Sequence, residues 1–172
     1  TFKKYVKRDW LDVSCCSFDE FNTFIKKHEE FFAKPVRGTG GAGARVIKTN
    51  DDTAQNLFEL CKEEGLIIEE IIKQNSEIAK FNESTLNTVR VYTLVCADNT
   101  AKVMGAVARF GRAGNVIDNF HGGGVAATID VESGKVNQAI NRAHIRTDIH
   151  PDSKEKILGF KYPYWDKLKE AV

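Results

Sequence analysis

At 172 residues, with 42% apolar and 28% charged side chains, the sequence has the make-up of a globular protein, long enough to bury a core as one domain or two small lobes. A formal net charge of +1 excludes the strongly basic surface that a nucleic-acid-binding domain needs. No run of about 18 apolar residues is present, so no membrane span is expected, and no apolar signal core follows Lys3-Lys4.

In chain order, Ser17-Phe18-Asp19-Glu20 fits a capping box. Phe21, Phe24 and Ile25 follow at helical spacing, which predicts a helix over about 18–29. Phe31–Lys34 reads as a short strand, with Pro35 suited to its end. A glycine-rich loop covers 38–43, and Arg45-Val46-Ile47-Lys48 alternates as a half-buried strand. Leu57, Leu60 and Cys61 mark the apolar face of a helix that stops at Gly65. Residues 66–72 form a dense β-branched run, a buried strand interrupted by Glu69-Glu70. After a polar connection, residues 84–96 hold a long β pattern, and Ala101–Phe110 is its antiparallel partner. Residues 116–124 read as another strand running into Gly122-Gly123-Gly124. Strands at 125–131 and from Val136 follow, joined by the turn 132–135. Residues 139–161 look polar and irregular, and Pro163 opens a helix. Trp10 and Trp165 are expected in core or lobe packing, His144 and His150 at the surface.

The fold class is therefore α+β: an N-terminal helical segment (1–30), a small βαβ-like lobe with a glycine-rich flap (31–72), and an antiparallel-sheet lobe (73–172). The four cysteines, at 15, 16, 61 and 96, form no CxxC pair and suit neither zinc nor a disulfide framework. Reduced thiols, with Cys61 and Cys96 buried, and a cytoplasmic location are expected.

The stretch from Phe31 to Lys48 carries the most chemistry. Gly38-x-Gly40-x-x-Gly43 matches a dinucleotide fingerprint literally, but that fingerprint needs a helix immediately after it. A strand follows here, and Gly43 precedes Ala44-Arg45, so the P-loop pattern fails too. What remains is a strand–loop–strand flap able to fold over phosphates, with Lys34 at its mouth as a cation. A hairpin with no ligand is the alternative.

Lys34-Pro35 with its glycine hairpin, a helix, then Ile68-Glu69-Glu70-Ile71-Ile72, resembles the nucleotide half of the ATP-grasp superfamily. Asn87-Thr88-Val89-Arg90, Arg109-Phe110-Gly111-Arg112 and residues 118–124 are similar to its sugar-transfer-associated, alpha-L-glutamate-ligase-like branch. The resemblance spans about residues 5–170. It implies that ATP lies between two α+β lobes. Lys34 would contact the α- and β-phosphates, and Gly38, Thr39, Gly40, Gly41 and Gly43 would form the flap. Glu69, Glu70, Ile71 and Ile72 would line the adenine slot, and Glu77 would reach the ribose. Arg90 and Arg109 would point to the γ-phosphate or acyl-phosphate, with Asn119 bordering the same region. Fixed arginines suit phosphoryl transfer, which is mostly positioning and charge neutralisation. Asp118 is a candidate metal or substrate contact; turn chemistry is its rival.

The family's Mg²⁺ sits on an acidic residue of a late strand and on a Glu-x-Asn of the next, and no Glu-x-Asn occurs after residue 124. With Thr1 at one end and a helical pattern running to Val172 at the other, the chain reads as a piece of a longer protein. It is expected to bind nucleotide weakly without turning it over, as an incomplete ATP-grasp fold. Two function classes follow. One is the ATP-binding part of a carboxylate–amine or carboxylate–thiol ligase acting through an acyl-phosphate, in polysaccharide or peptide modification. Its partners would be ATP, a small-molecule carboxylate, and an amine or sugar acceptor. The other is a non-catalytic nucleotide-binding or assembly domain, with a phosphotransferase on the same fold as a third possibility.

Overall fold

A computed structural model describes residues 6–171. The chain divides into two compact units, residues 1–73 and 74–172, each built on its own four-stranded antiparallel sheet.

In the first unit the elements run β1 (Trp10–Asp12), α1 (Phe18–Ile25), β2 (Glu30–Pro35), β3 (Arg45–Lys48), α2 (Ala54–Glu63) and β4 (Leu66–Glu70). The strand order is β1-β4-β2-β3. β2 pairs antiparallel with both β3 and β4, so β3–α2–β4 is a βαβ crossover with β2 between its strands. The capping box closes on α1: Glu20 N–H donates to Ser17 Oγ, and Ser17 N–H donates to Glu20. Thr53 caps α2 through the Asn56 N–H at 3.2 Å. Phe21, Phe24 and Ile25 of α1 and Leu57, Phe58 and Cys61 of α2 bury against Phe31, Ala33, Ile47, Leu66 and Ile68 of the sheet. The Phe21 ring meets Phe31 edge-on at 6.3 Å.

The second unit holds α3 (Ser76–Ala79), β5 (Thr88–Val95), β6 (Ala101–Phe110), a 3-10 turn (Phe120–Gly122), β7 (Val125–Ile129), β8 (Val136–Ile140) and α4 (Trp165–Glu170). Its strands follow each other in order. Alanines at 106, 108, 127 and 139 keep one face low, and Phe81, Ile157, Tyr162 and Trp165 pack into it. A polar knot ties the start of β5 to the end of β6. Asn87 is buried, takes the Gly111 N–H on Oδ1 at 3.0 Å and donates Nδ2 to Asn82 O at 3.0 Å.

Several local expectations need correction. The helix predicted to 29 ends at Ile25, where the apolar periodicity stops. The strand predicted over 66–72 ends at Glu70, its last register being with Phe31, and leaves Ile71 and Ile72 outside it. β1 was not foreseen, and its Trp10 is 51% exposed instead of packed in a core. No strand forms at 116–119, because Asp118 and Asn119 turn their side chains onto backbone N–H groups (Thr88 and His121) and draw the chain into a loop. Cys96 is only half-buried. His150 is fully buried, between the rings of Phe81 and Phe110 at 6.3 and 6.4 Å. Residues 1–5 and 172, including the termini used above to read the chain as a piece, lie outside the described residues.

Candidate functional site

Cross-strand partners in an antiparallel sheet share a face, so the register sorts each sheet into a covered and an open side. In the first unit Phe31, Ala33, Ile47 and Ile68 face the helices. Trp10, Phe32, Lys34, Ile67 and Glu69 share the opposite, open side. Two of the predicted site residues meet there. Lys34 Nζ donates to Glu69 Oε1 at 2.8 Å, and Arg8 Nη2 donates to the same oxygen at 2.8 Å. Burial raises the Glu69 carboxyl, but the hydrogen bonds from Lys34 and Arg8 outweigh it and leave the group below its ordinary value.

The flap leaves the same strand as Lys34. Gly38, Thr39, Gly40, Gly41 and Gly43 are all exposed. Two successive turns shape the loop, Ala42 N–H to Thr39 O at 3.3 Å and Ala44 N–H to Gly41 O at 3.1 Å. Gly43 has φ +76°, and a Cβ there would lie 2.9 Å from Pro35 Cγ, so the base of the flap admits only glycine. Arg45 fastens this base to α2. It forms an ion pair with Glu64 at 2.9 Å and donates to Gly43 O at 3.3 Å. Glu70 follows Glu69 but looks elsewhere, taking the Asp9 N–H at 3.1 Å. Ile71 and Ile72 are exposed just past the strand. Glu77 lies in α3 of the second unit, exposed, its N–H capped by Asn75.

In the second unit Ala106, Ala108 and Phe110 face the core, so Val107 and Arg109 occupy the open side with their partners Arg90 and Thr88. Arg90 and Arg109 are thus diagonal neighbours on one face. The Arg90 guanidinium is exposed and has no partner among the described residues. Arg109 is held: Nε and Nη2 donate to Thr88 Oγ1 at 3.1 and 2.7 Å, and Nη2 pairs with Asp118 at 3.4 Å. The Thr88 hydroxyl in turn donates to Asp118, which also accepts the Thr88 N–H at 3.0 Å. Asn119 caps the 3-10 turn that leads to Gly124, where a Cβ would lie 2.7 Å from Phe110 O. Near Asp118 the Tyr162 hydroxyl is buried with no hydrogen-bond partner among the described residues; burial, then the Asp118 charge, pushes its pKa up.

Asp118 is therefore engaged with Thr88 and Arg109. Among the described residues no group of three or more His, Cys, Asp or Glu side chains is placed to hold a metal.

Arg112, quoted above beside Arg109, belongs to the scaffold. Its Nε and Nη2 grip both oxygens of Asp152 at 2.8 Å, which pulls that carboxyl down to about 2. Arg8 sits in no motif, and Thr88, although part of Asn87-Thr88-Val89-Arg90, carries no sign in the sequence of its bonds to Arg109 and Asp118. Arg8 reaches Glu69 across 61 residues, and Thr88 finds Arg109 only through strand register.

A family model described as sugar-transfer associated ATP-grasp matches residues 53–172. The chain belongs to this family. It is thus an ATP-binding, ligase-like domain of α+β class. The match begins at the cap of α2, so Lys34 and the flap precede it, while β4 to β8 and both arginines lie within it. A search of curated proteins finds no match. Among the described residues no helix is long and apolar enough to cross a membrane.

Proposed function

We propose that this ATP-grasp chain is the nucleotide-binding part of a carboxylate–amine or carboxylate–thiol ligase. The family's chemistry transfers the γ-phosphate of ATP to a carboxylate, releasing ADP. An amine or thiol then displaces phosphate from the acyl-phosphate. In this reading Lys34 meets the α- and β-phosphates, and residues 38–43 close over the β- and γ-phosphates. The aliphatic side chains at the end of β4 contribute to the adenine slot, Glu77 to the ribose. Arg90, Arg109 and Asn119 serve the γ-phosphate or acyl-phosphate side. The sugar-transfer association supports polysaccharide modification as the setting, with a small carboxylate and an amine or sugar acceptor as substrates, inside the cytoplasm.

The observation that carries the reading is the Lys34 ammonium on the open face of its sheet, on the strand that leads into an exposed glycine flap. A cation at the mouth of a small-residue loop is the arrangement that binds phosphate. A second reading, a nucleotide-binding module without turnover, is supported by Asp118, whose carboxylate is taken up by Thr88 and Arg109. Equilibrium binding of ATP to the purified chain tests the first claim. Lys34→Ala is expected to weaken ATP binding at least tenfold, the loss of about one charge-assisted contact. An unchanged Kd removes Lys34 from the site. Release of ADP by the chain in the presence of Mg²⁺ would favour the ligase over the binding module.

A further inference from the structure

We propose that Arg8 is a second phosphate-binding cation, acting with Lys34 on the polyphosphate of a nucleoside di- or triphosphate. The proposal rests on the reading that the open face of the first unit's sheet takes ATP.

Arg8 lies two residues before β1, outside the matched part of the family and outside every sequence motif. Yet its guanidinium and the Lys34 ammonium both donate to one atom, Glu69 Oε1, each at 2.8 Å. The two cationic groups therefore stand within two hydrogen-bond lengths of each other. A single carboxylate cannot balance both, and like charges this close repel unless another anion joins them. Asp12 shares the face, but among the described residues no ion pair or hydrogen bond joins its carboxylate to Arg8 or Lys34.

The donors are also far from used up. An ammonium has three donors and a guanidinium five. Among the described residues each uses one on Glu69, and Arg8 Nε is buried with no hydrogen-bond partner. Exposure grades across the cluster: the Glu69 side chain is 14% exposed, Arg8 28% and Lys34 38%. The carboxylate forms the floor and the cations the rim, so Glu69 holds both heads where a solvent-borne anion can reach them. The planar fork of Arg8 matches paired phosphate oxygens, and the Lys34 point charge suits a third. A polyphosphate chain presents several oxygens in succession, which is the anion that two adjacent cations select over a single carboxylate.

The test compares equilibrium binding of ATP, ADP and adenosine to the 172-residue chain as wild type, Arg8→Met, Arg8→Lys and Lys34→Ala, with folding checked by circular dichroism. Arg8→Met is expected to weaken ATP and ADP about tenfold and leave adenosine unchanged. Arg8→Lys keeps the charge without the fork and recovers part of the loss; it also serves if Arg8→Met does not fold. If Arg8→Met binds ATP like wild type while Lys34→Ala does not, the proposal fails and the nucleotide site stands. An equal loss for ATP and adenosine overturns it as well, because Arg8 then only supports the fold. Absence of ATP binding by wild type takes down the nucleotide reading and this proposal together.

Discussion

Glu69 changes meaning between sequence and structure. The resemblance implies a place for it along the adenine slot, a role for the strand backbone. The structure adds that its side chain is the shared acceptor of Lys34 and Arg8. Asp118, the candidate metal or substrate contact, is hydrogen-bonded to Thr88 and paired with Arg109. On each open face a carboxylate fixes a cation, which orients the cation before any ligand arrives. His150 is the residue least expected from its surroundings. Its Nε2–H donates to Gly111 O at 2.9 Å, while Nδ1 accepts the Ser153 N–H at 3.3 Å, so both nitrogens are satisfied only in the neutral ring. Burial lowers its pKa; the bond to Gly111 and the Asp152 charge oppose this, and Arg112 and Lys154 assist it. The unfolded chain then binds the proton more readily than the folded one, so stability rises with pH through this window. Stability is complete above the ordinary value of about 6.5 and is lost as pH falls below it. Urea midpoints measured between pH 5 and 8 should fall with acid in the wild type and fall less steeply in His150→Gln. Identical slopes in the two proteins would show that His150 does not titrate in this range.

At the scale of elements, local chemistry was readable and non-local pairing was not. The capping box of α1, the Gly65 stop of α2, the glycine hairpin and the turn at 132–135 all follow from a few adjacent residues, and all form. β1 was missed because a three-residue strand has too little alternation to stand out, and it exists through its pairing with β4. The strand expected at 116–119 was lost to competition: Asp and Asn side chains bind nearby backbone more favourably there than a ladder would. Half of the candidate site was legible for the same reason. Lys34 and the flap announce themselves in eighteen consecutive residues, whereas Arg8 and Thr88 acquire partners only when distant strands come into register. The α1 cap gives a direct check of the local reading. Ser17→Ala should cost about 1 kcal/mol in chemical denaturation, with the spectrum of the folded protein unchanged. A cost near zero would mean that the burial of Phe21 and Phe24 holds the helix without its cap.

Across the whole molecule, each sheet is asymmetric in the same way. One side carries the core, under α1 and α2 in the first unit and under an aromatic cluster around Phe81, Phe110 and Tyr162 in the second. The other side is left open and carries the cations. A sheet face that exposes Trp10, Val46 and part of Phe32 beside an ion cluster is poorly explained as solvent-facing surface and well suited to a ligand with an aromatic base and a charged tail. Family membership points to ATP as that ligand. The claim is tested most directly by amide chemical-shift mapping on the isotope-labelled chain during titration with ATP. The largest shifts in the first unit should fall on Lys34, residues 38–43 and Glu69 to Ile72, and Lys34→Ala should move their midpoint to at least tenfold higher ATP. Saturating shifts that leave Lys34 and residues 38–43 unmoved, or a midpoint unchanged by Lys34→Ala, would contradict the assignment.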